Sequence, residues 1–263
     1  MDWNKAKSLL IVSFLFLNIL IGYQLYLKER EYLQNVQWSG NTVDELKESL
    51  LSQGIHIEVE IPKEIPDMQF LQVKNKDFKF TEKETPEGAF VLDEGKIYFK
   101  FYQPLLLEEP FQRSVIEAKI EKYINFFDQY TYNPTNSDES RISYYQINNN
   151  KPYFDSKLEI YLKDNTILGY SQSYLEVMNK GSDRQVIPAY SAVQTIINNQ
   201  LIKENARIRL INLGYQGQAK PSLIQVLTPV WQIVYQLDGK LETIYINAMT
   251  GIVENNINII EEK

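Results

Sequence analysis

Apolar and polar residues follow three patterns along this chain, and each pattern marks a different kind of element. The first is an unbroken apolar run. From Ser8 to Leu27 the sequence reads SLLIVSFLFLNILIGYQLYL, 20 residues without a formal charge. As a helix it would reach about 30 Å, the thickness of a bilayer's hydrocarbon core. A cleaved secretory signal has an apolar region of about 7–15 residues and then a small-x-small site. Here Tyr23, Gln24, Leu25 and Tyr26 stand where the small residues belong, so the run reads as an uncleaved anchor. Lys5 and Lys7 before it nearly balance Lys28 and Arg30 after it. The short leading tail favours an N-terminus inside and residues 28–263 outside the cytoplasm.

The second pattern has the helical period. Lys28 to Gln37 continues the anchor as a stalk. Thr42-Val-Asp-Glu45 reads as a capping box ahead of Val43, Leu46 and Leu50 on one face, with Gly54 as the stop. From Pro110, the residues Ile116, Ile120, Tyr123, Ile124 and Phe127 form one apolar stripe. Pro188 opens another helix, with Ala189, Val193, Ile196, Ile197 and Leu201 on one side.

The third pattern is strict alternation. Ile55, Ile57, Val59 and Ile61 share one face of a predicted strand, with His56, Glu58 and Glu60 on the other. Further strands are expected near 68–74, 88–92, 96–102, 141–148, 153–162, 166–177, 206–213, 223–227, 230–237 and 240–247. Asp93-Glu-Gly95, Asn148-Asn-Asn150, Asp164-Asn165 and above all Asp238-Gly239 read as the tight connections. Along the last hairpin Trp231, Ile233, Tyr235 and Leu237 share the face expected to be buried. Helix followed by antiparallel meander, used repeatedly, predicts the α+β class: an N-terminal transmembrane helix, then an extracytoplasmic domain of helix-plus-meander units. The expected divisions are 1–30 (cytoplasmic tail and anchor), 31–37 (stalk), 38–108 (a first α+β subdomain) and 109–263 (a second region with two helix-plus-meander units).

Composition removes several functions. The 263 residues contain no Cys and a single His, His56, so disulfides, thiolate zinc sites and sites needing two imidazoles are excluded. The net charge is −7, which offers no footprint for nucleic-acid phosphates. No H-E-x-x-H, Walker A, EF-hand or G-x-S-x-G pattern occurs, and no cofactor is expected. His56, Glu58 and Glu60 share a strand face that reads as solvated, and Gly214-Tyr-Gln-Gly217 reads as an ordinary turn. A carboxylate pair, as in a membrane-anchored cell-wall enzyme, is the enzymatic alternative among the 34 acidic residues.

An amide lies near the middle of the apolar run. Asn18 shares a helical stripe with Ile11, Phe14, Gly22 and Leu25, and Gly22 permits close approach of a second helix. Asn18 either bonds its own helix or meets a partner helix there.

The opening MDWNKAKSLLIVSFLFLNILIGYQLY resembles the start of the YycI (WalI) family of low-GC Gram-positive bacteria, through Met1-Asp2-Trp3, Lys7 and Phe14-Leu-Phe-Leu-Asn18 leading to Gln24. The resemblance extends over the chain in length and layout. Pro229–Glu254, with Ala248-Met-Thr250-Gly251, is similar to the closing hairpin of PepSY-like domains. The family resemblance implies a non-catalytic bitopic membrane protein with a YycH/YycI-like α+β ectodomain. It also implies action with a YycH-type sister protein on the sensor histidine kinase WalK (YycG), which controls cell-wall turnover, through contacts between membrane helices.

Overall fold

The structure, a computed structural model, describes residues 3–34, 40–78, 85–93, 95–107, 112–217 and 224–254. The chain divides into two compact units, Met1–Leu46 and Lys47–Lys263.

The first unit is dominated by α1 (Trp3–Gln34). Its side chains from Lys7 to Gln24 are all exposed, including four successive apolar residues, Phe14, Leu15, Phe16 and Leu17. An apolar surface on every side of a helix suits a lipid environment. Lys7–Gln24 is long and apolar enough to cross a membrane. At its start Lys7 Nζ stands 5.5 Å from the Trp3 ring, a pair of the kind that anchors helices at membrane interfaces. The helix runs through Gln34, within the expected stalk. Residues 35–37 of that stalk lie outside the described residues.

The unit boundary falls inside α2 (Gly40–Ser52). Thr42 therefore sits in the first turn of this helix and not ahead of it, unlike the predicted cap. The predicted stop is at Gly54, with φ +71°. Gly54 N donates to Leu51 O and Ile55 N to Leu50 O, at 3.0 and 2.9 Å. That crossed pair needs a left-handed residue at the turn, which glycine adopts without a Cβ clash.

The second unit continues with β1 (His56–Ile57), β2 (Asp67–Met68), β3 (Leu71–Asn75), β4 (Gly88–Asp93) and β5 (Lys96–Leu106). After them come α3 (Arg113–Ile120), β6 (Tyr130–Asn133), β7 (Arg141–Asn148), β8 (Lys151–Lys163), β9 (Thr166–Ser173), β10 (Leu175–Lys180) and β11 (Arg184–Gln185). The unit ends with α4 (Ala189–Asn198), β12 (Arg207–Gln216), β13 (Ile224–Leu237), β14 (Lys240–Asn247) and β15 (Val253–Glu254). Thirteen of these strands share one sheet with the central order β10-β3-β13-β12-β8-β9-β5-β4. β6 and β7 continue from β8, β14 and β15 from β13, and β1 from β12; β2 and β11 pair separately. The fold is α+β, as the periodicities predict.

Three hairpins set the register. Asn149 and Asn150, Asp164 and Asn165, and Asp238 and Gly239 all have positive φ, between 47° and 81°. Two left-handed residues in succession make the tight turn whose twist matches that of paired strands. Below the first meander α3 lies on β5, β7, β8 and β9. Ile116, Ile120, Phe99, Phe101, Leu158, Ile160, Ile167 and Tyr170 form its core. Of the predicted stripe Ile116, Ile120 and Ile124 are buried and Tyr123 and Phe127 half-buried, but the α-helix ends at Ile120 and short 3-10 turns carry most of the remainder.

Other elements depart from the periodic reading for identifiable reasons. The alternation at 55–61 does bury Ile55 and Ile61, yet only His56 and Ile57 find a ladder partner, in parallel with β12. The strand expected over 166–177 breaks at Tyr174. There Gln146, 3% exposed, donates to Leu175 O and accepts from Leu175 N and from Ser156 Oγ at 2.7–2.9 Å, holding the bend. The strands expected at 223–227 and 230–237 are a single strand, β13. Its first half pairs with β3 and its second with β14, and Pro229, which has no N–H to donate, marks the exchange. From Pro229 to Tyr235 both faces of β13 are buried, so the face opposite Trp231 is not solvated as an alternating strand suggests.

Candidate functional site

The two helix-plus-meander units meet where β8 and β12 run parallel, with Tyr153 opposite Tyr215. The backbones approach closely because residue 214 is glycine. A Cβ there would lie 2.5 Å from Pro152 O and 2.7 Å from the Phe154 ring. Of the expected turn at Gly214–Gly217, the residues Gly214 to Gln216 are instead the end of this strand, and Gly214 fits the join. Tyr145, Phe154 and Val230, with Tyr245 against them, fill the seam between the two units; the Tyr145–Phe154 and Phe154–Tyr245 ring centroids are 5.4 Å apart.

Above this seam opens a cleft of about 410 Å³. Thr131, Tyr132, Asn133 and Pro134 form one wall, Leu210, Asn212 and Gln232 the other, with Tyr145, Ile147, Asn150 and Pro152 at the base. No lining residue carries a charge. The Tyr145 hydroxyl is the hub: Gln232 Nε2 donates to it at 3.4 Å and to the Tyr245 hydroxyl at 3.2 Å. Burial pushes the Tyr145 hydroxyl above its ordinary pKa, so at neutral pH it is protonated. Asn133 Oδ1 accepts from the backbone N and hydroxyl of Thr135, at 3.2 and 2.7 Å. The Thr135 N–H fixes which way the Asn133 carboxamide points, and Gln232 turns its Nε2 to the two hydroxyls. Each is left with one buried, unbonded atom, Asn133 Nδ2 and Gln232 Oε1. Asn133 Nδ2 is close enough to the Tyr145 hydroxyl to favour its ionised form, yet outside hydrogen-bond geometry. An unpaired buried polar atom costs a fold about 1–3 kcal/mol.

A larger cleft, about 690 Å³, lies beside β3 and β10. Lys74, Lys76, Phe126, Asp128, Tyr174 and Glu176 are among its lining residues. Two carboxylates are thus present, but hydrogen bonding to Lys76 holds Glu176 below the ordinary carboxylate range. A glycosidase acid needs the opposite shift. Phe126 adopts φ +58° here, uncommon for a bulky residue, and its ring lies tilted against Tyr174 with the centroids 4.7 Å apart.

Of the residues singled out by sequence, Ile11, Phe14, Asn18 and Gly22 are exposed on α1, and a Cβ on Gly22 would meet nothing within 4 Å. Leu25 lies on the same helix, with its side chain outside the described residues. His56 is exposed, while its neighbour Glu58 pairs with Arg207 at 3.3 Å and with Arg209. Among the described residues no group of His, Asp and Glu could hold a metal. Sequence reasoning missed the seam cleft. Its carboxamides are far apart in the chain and follow no motif; the one available signal was a glycine, Gly214, inside an alternating run.

A family model described as YycI protein matches residues 33–249. The chain belongs to the YycI family. Membership implies a regulator of the WalK two-component system. The matched YycI region takes in α2, the whole sheet as far as β14, and the seam cleft, and it leaves out residues 1–32. The likeness of the closing hairpin to PepSY-like domains is not carried by this match. No curated protein matches the chain by sequence. Among solved structures, an uncharacterized protein from Eubacterium rectale ATCC 33656 is similar, with TM-score 0.53 at 10% identity, over 83% of this chain and 99% of that one. At that identity the likeness speaks for the fold alone. The Bacillus megaterium YpeB C-terminal domain aligns over 82% of this chain and 96% of its own, with TM-score 0.38 at 11% identity. With α1 in front of the YycI region, the chain has one apolar N-terminal helix of the length a single-pass anchor needs.

Proposed function

We propose that this YycI-family chain is a non-enzymatic, membrane-anchored regulator of the sensor histidine kinase WalK (YycG), acting with a YycH-type sister protein. Its N-terminus is cytoplasmic and its sheet domain extracellular. The contact runs through the α1 stripe Ile11, Phe14, Asn18, Gly22 and Leu25. What supports this reading most is the exposure of an apolar helix that carries a mid-span amide, Asn18, beside a glycine notch, Gly22. In lipid, helices associate through close packing and interhelical hydrogen bonds, and that pair of residues offers both. The depressed pKa of Glu176 in the cleft beside β3 and β10 counsels against the carboxylate-pair alternative.

The test is crosslinking of the full chain in membranes, followed by identification of captured proteins. The kinase and the sister protein are expected, through crosslinkers placed on the stripe. Capture only through crosslinkers on the sheet domain would overturn the helix contact. Protease added to intact protoplasts should digest the sheet domain; full protection would reverse the topology.

A further inference from the structure

We propose that the seam cleft binds an uncharged peptide segment, one backbone amide of which bridges Asn133 and Gln232. The proposal stands apart from the membrane contact and concerns the sheet domain alone. The cleft's volume of about 410 Å³ falls within the range of ligand pockets. In a chain of which 23% is charged, its lining has no Asp, Glu, Lys or Arg. An ionic ligand would leave water for a lining that holds no countercharge; outside that lining, Lys157 Nζ stands 6.0 Å from the Tyr145 ring.

The two unbonded atoms narrow the chemistry further. Asn133 and Gln232 are 2% and 1% exposed, and their other amide atoms are engaged by Thr135, Tyr145 and Tyr245. What remains is one donor, Asn133 Nδ2, and one acceptor, Gln232 Oε1. A secondary amide carries one C=O and one N–H directed oppositely, so a single peptide group satisfies both. A hydrocarbon would satisfy neither. A sugar could reach both through hydroxyls, but Pro134, Ile147, Pro152 and Leu210 would leave its remaining hydroxyls unpaired. The same walls suit apolar side chains flanking a peptide group. Both atoms are closed off from solvent in the walls, so the entering amide has to displace the side chains that cover them, among them the Tyr145 and Tyr245 hydroxyls that approach Gln232.

The test uses the full chain in nanodiscs and saturation-transfer NMR on three probes. These are acetyl-Ala-Ala-Ala N-methylamide, its acidic analogue acetyl-Ala-Asp-Ala N-methylamide, and chitotriose. Transfer to the neutral peptide is expected, with at least tenfold weaker binding of the acidic one. Gln232→Leu should weaken the neutral peptide about tenfold or more. Leu210 is only half-buried, so Leu210→Arg should fold normally and abolish binding by putting a charge and bulk into the cleft. No transfer to the neutral peptide, undiminished transfer in a folded Leu210→Arg chain, or transfer to chitotriose alone would overturn the proposal.

Discussion

The Trp231 indole Nε1 donates a 2.8 Å hydrogen bond to the carbonyl of Ile187, 44 residues earlier, and both residues are buried. Ile187 N in turn donates to Ala248 O, and Ala248 N to Pro229 O, each at 2.8 Å. These bonds tie the lead into α4, the middle of β13 and the end of β14 into one closed circuit. Trp231 therefore supplies both apolar area and the partner of an otherwise buried carbonyl.

Trp231→Ala should cost about 3–5 kcal/mol, the usual penalty for emptying a buried aromatic site. Trp231→Phe keeps most of the area and loses the hydrogen bond, so a smaller cost of about 1–3 kcal/mol is expected. Thermal melts of a chain beginning at residue 36 would order the two variants. A melting temperature for Trp231→Phe equal to that of wild type would mean that the bond to Ile187 contributes nothing.

How the elements form was legible in the sequence; how they join was not. Asp238-Gly239 and Asp164-Asn165 announce hairpins because local φ preferences decide such turns. The stripe through Ile116 and Ile120 announces a buried helix because its period is local too. Pro229 looked like a strand boundary, yet β13 passes straight through it. A missing N–H interrupts only one side of a ladder, and here that side is changing partners. The parallel contact of β8 with β12 depends on residues about 60 apart, and no local pattern encodes that. In sequence Asn133 lies in a turn-rich stretch and Gln232 inside an alternating run, and only the seam makes them neighbours of one hydroxyl.

The seam gives the second prediction. At Gly214 a methyl group would meet the Pro152 carbonyl and the Phe154 ring, neither the free end of a flexible side chain. Overpacking of that kind typically costs about 1–3 kcal/mol. Because the strain falls on the join, Gly214→Ala should separate the unfolding of the two meanders. Denaturant titrations followed by far-UV dichroism should show two steps in place of one. A single, unshifted transition would mean that the join relaxes freely.

Glu159 sets an acid limit to stability. Its side chain is 13% exposed; burial alone would raise its pKa, but Lys96 at 3.3 Å and Arg141 at 3.5 Å outweigh that and hold it below the ordinary range. A carboxyl depressed on folding stabilises fully above its unfolded pKa, about 4.3, and that contribution fades as pH falls through the lower folded value. Glu159→Gln should lower stability at neutral pH by about 1–3 kcal/mol, between the values for exposed and buried pairs. It should also flatten the decline of the melting temperature below about pH 4.5, where wild type loses this contribution. Parallel slopes in the two chains would assign the acid sensitivity elsewhere.

The membrane stripe carries the last prediction. On a helix with 100° per residue, Ile11, Phe14, Asn18, Gly22 and Leu25 fall within an arc of about 80°. Asn18 can reach across to a second helix, and Gly22 lets that helix come close enough for the amide to bond. An interhelical hydrogen bond in lipid contributes about 0.6–2 kcal/mol, so Asn18→Leu should weaken the kinase complex roughly 3- to 30-fold without abolishing it. Gly22→Leu fills the notch, which is open in the free helix, and should do more damage by forcing the backbones apart. Leu20, about 200° around the helix from Asn18, is the control, and Leu20→Ala should change little. The readouts are co-purification from crosslinked membranes and kinase output in cells. If both survive Asn18→Leu and Gly22→Leu combined, the stripe is lipid-facing surface, and regulation has to pass through the sheet domain.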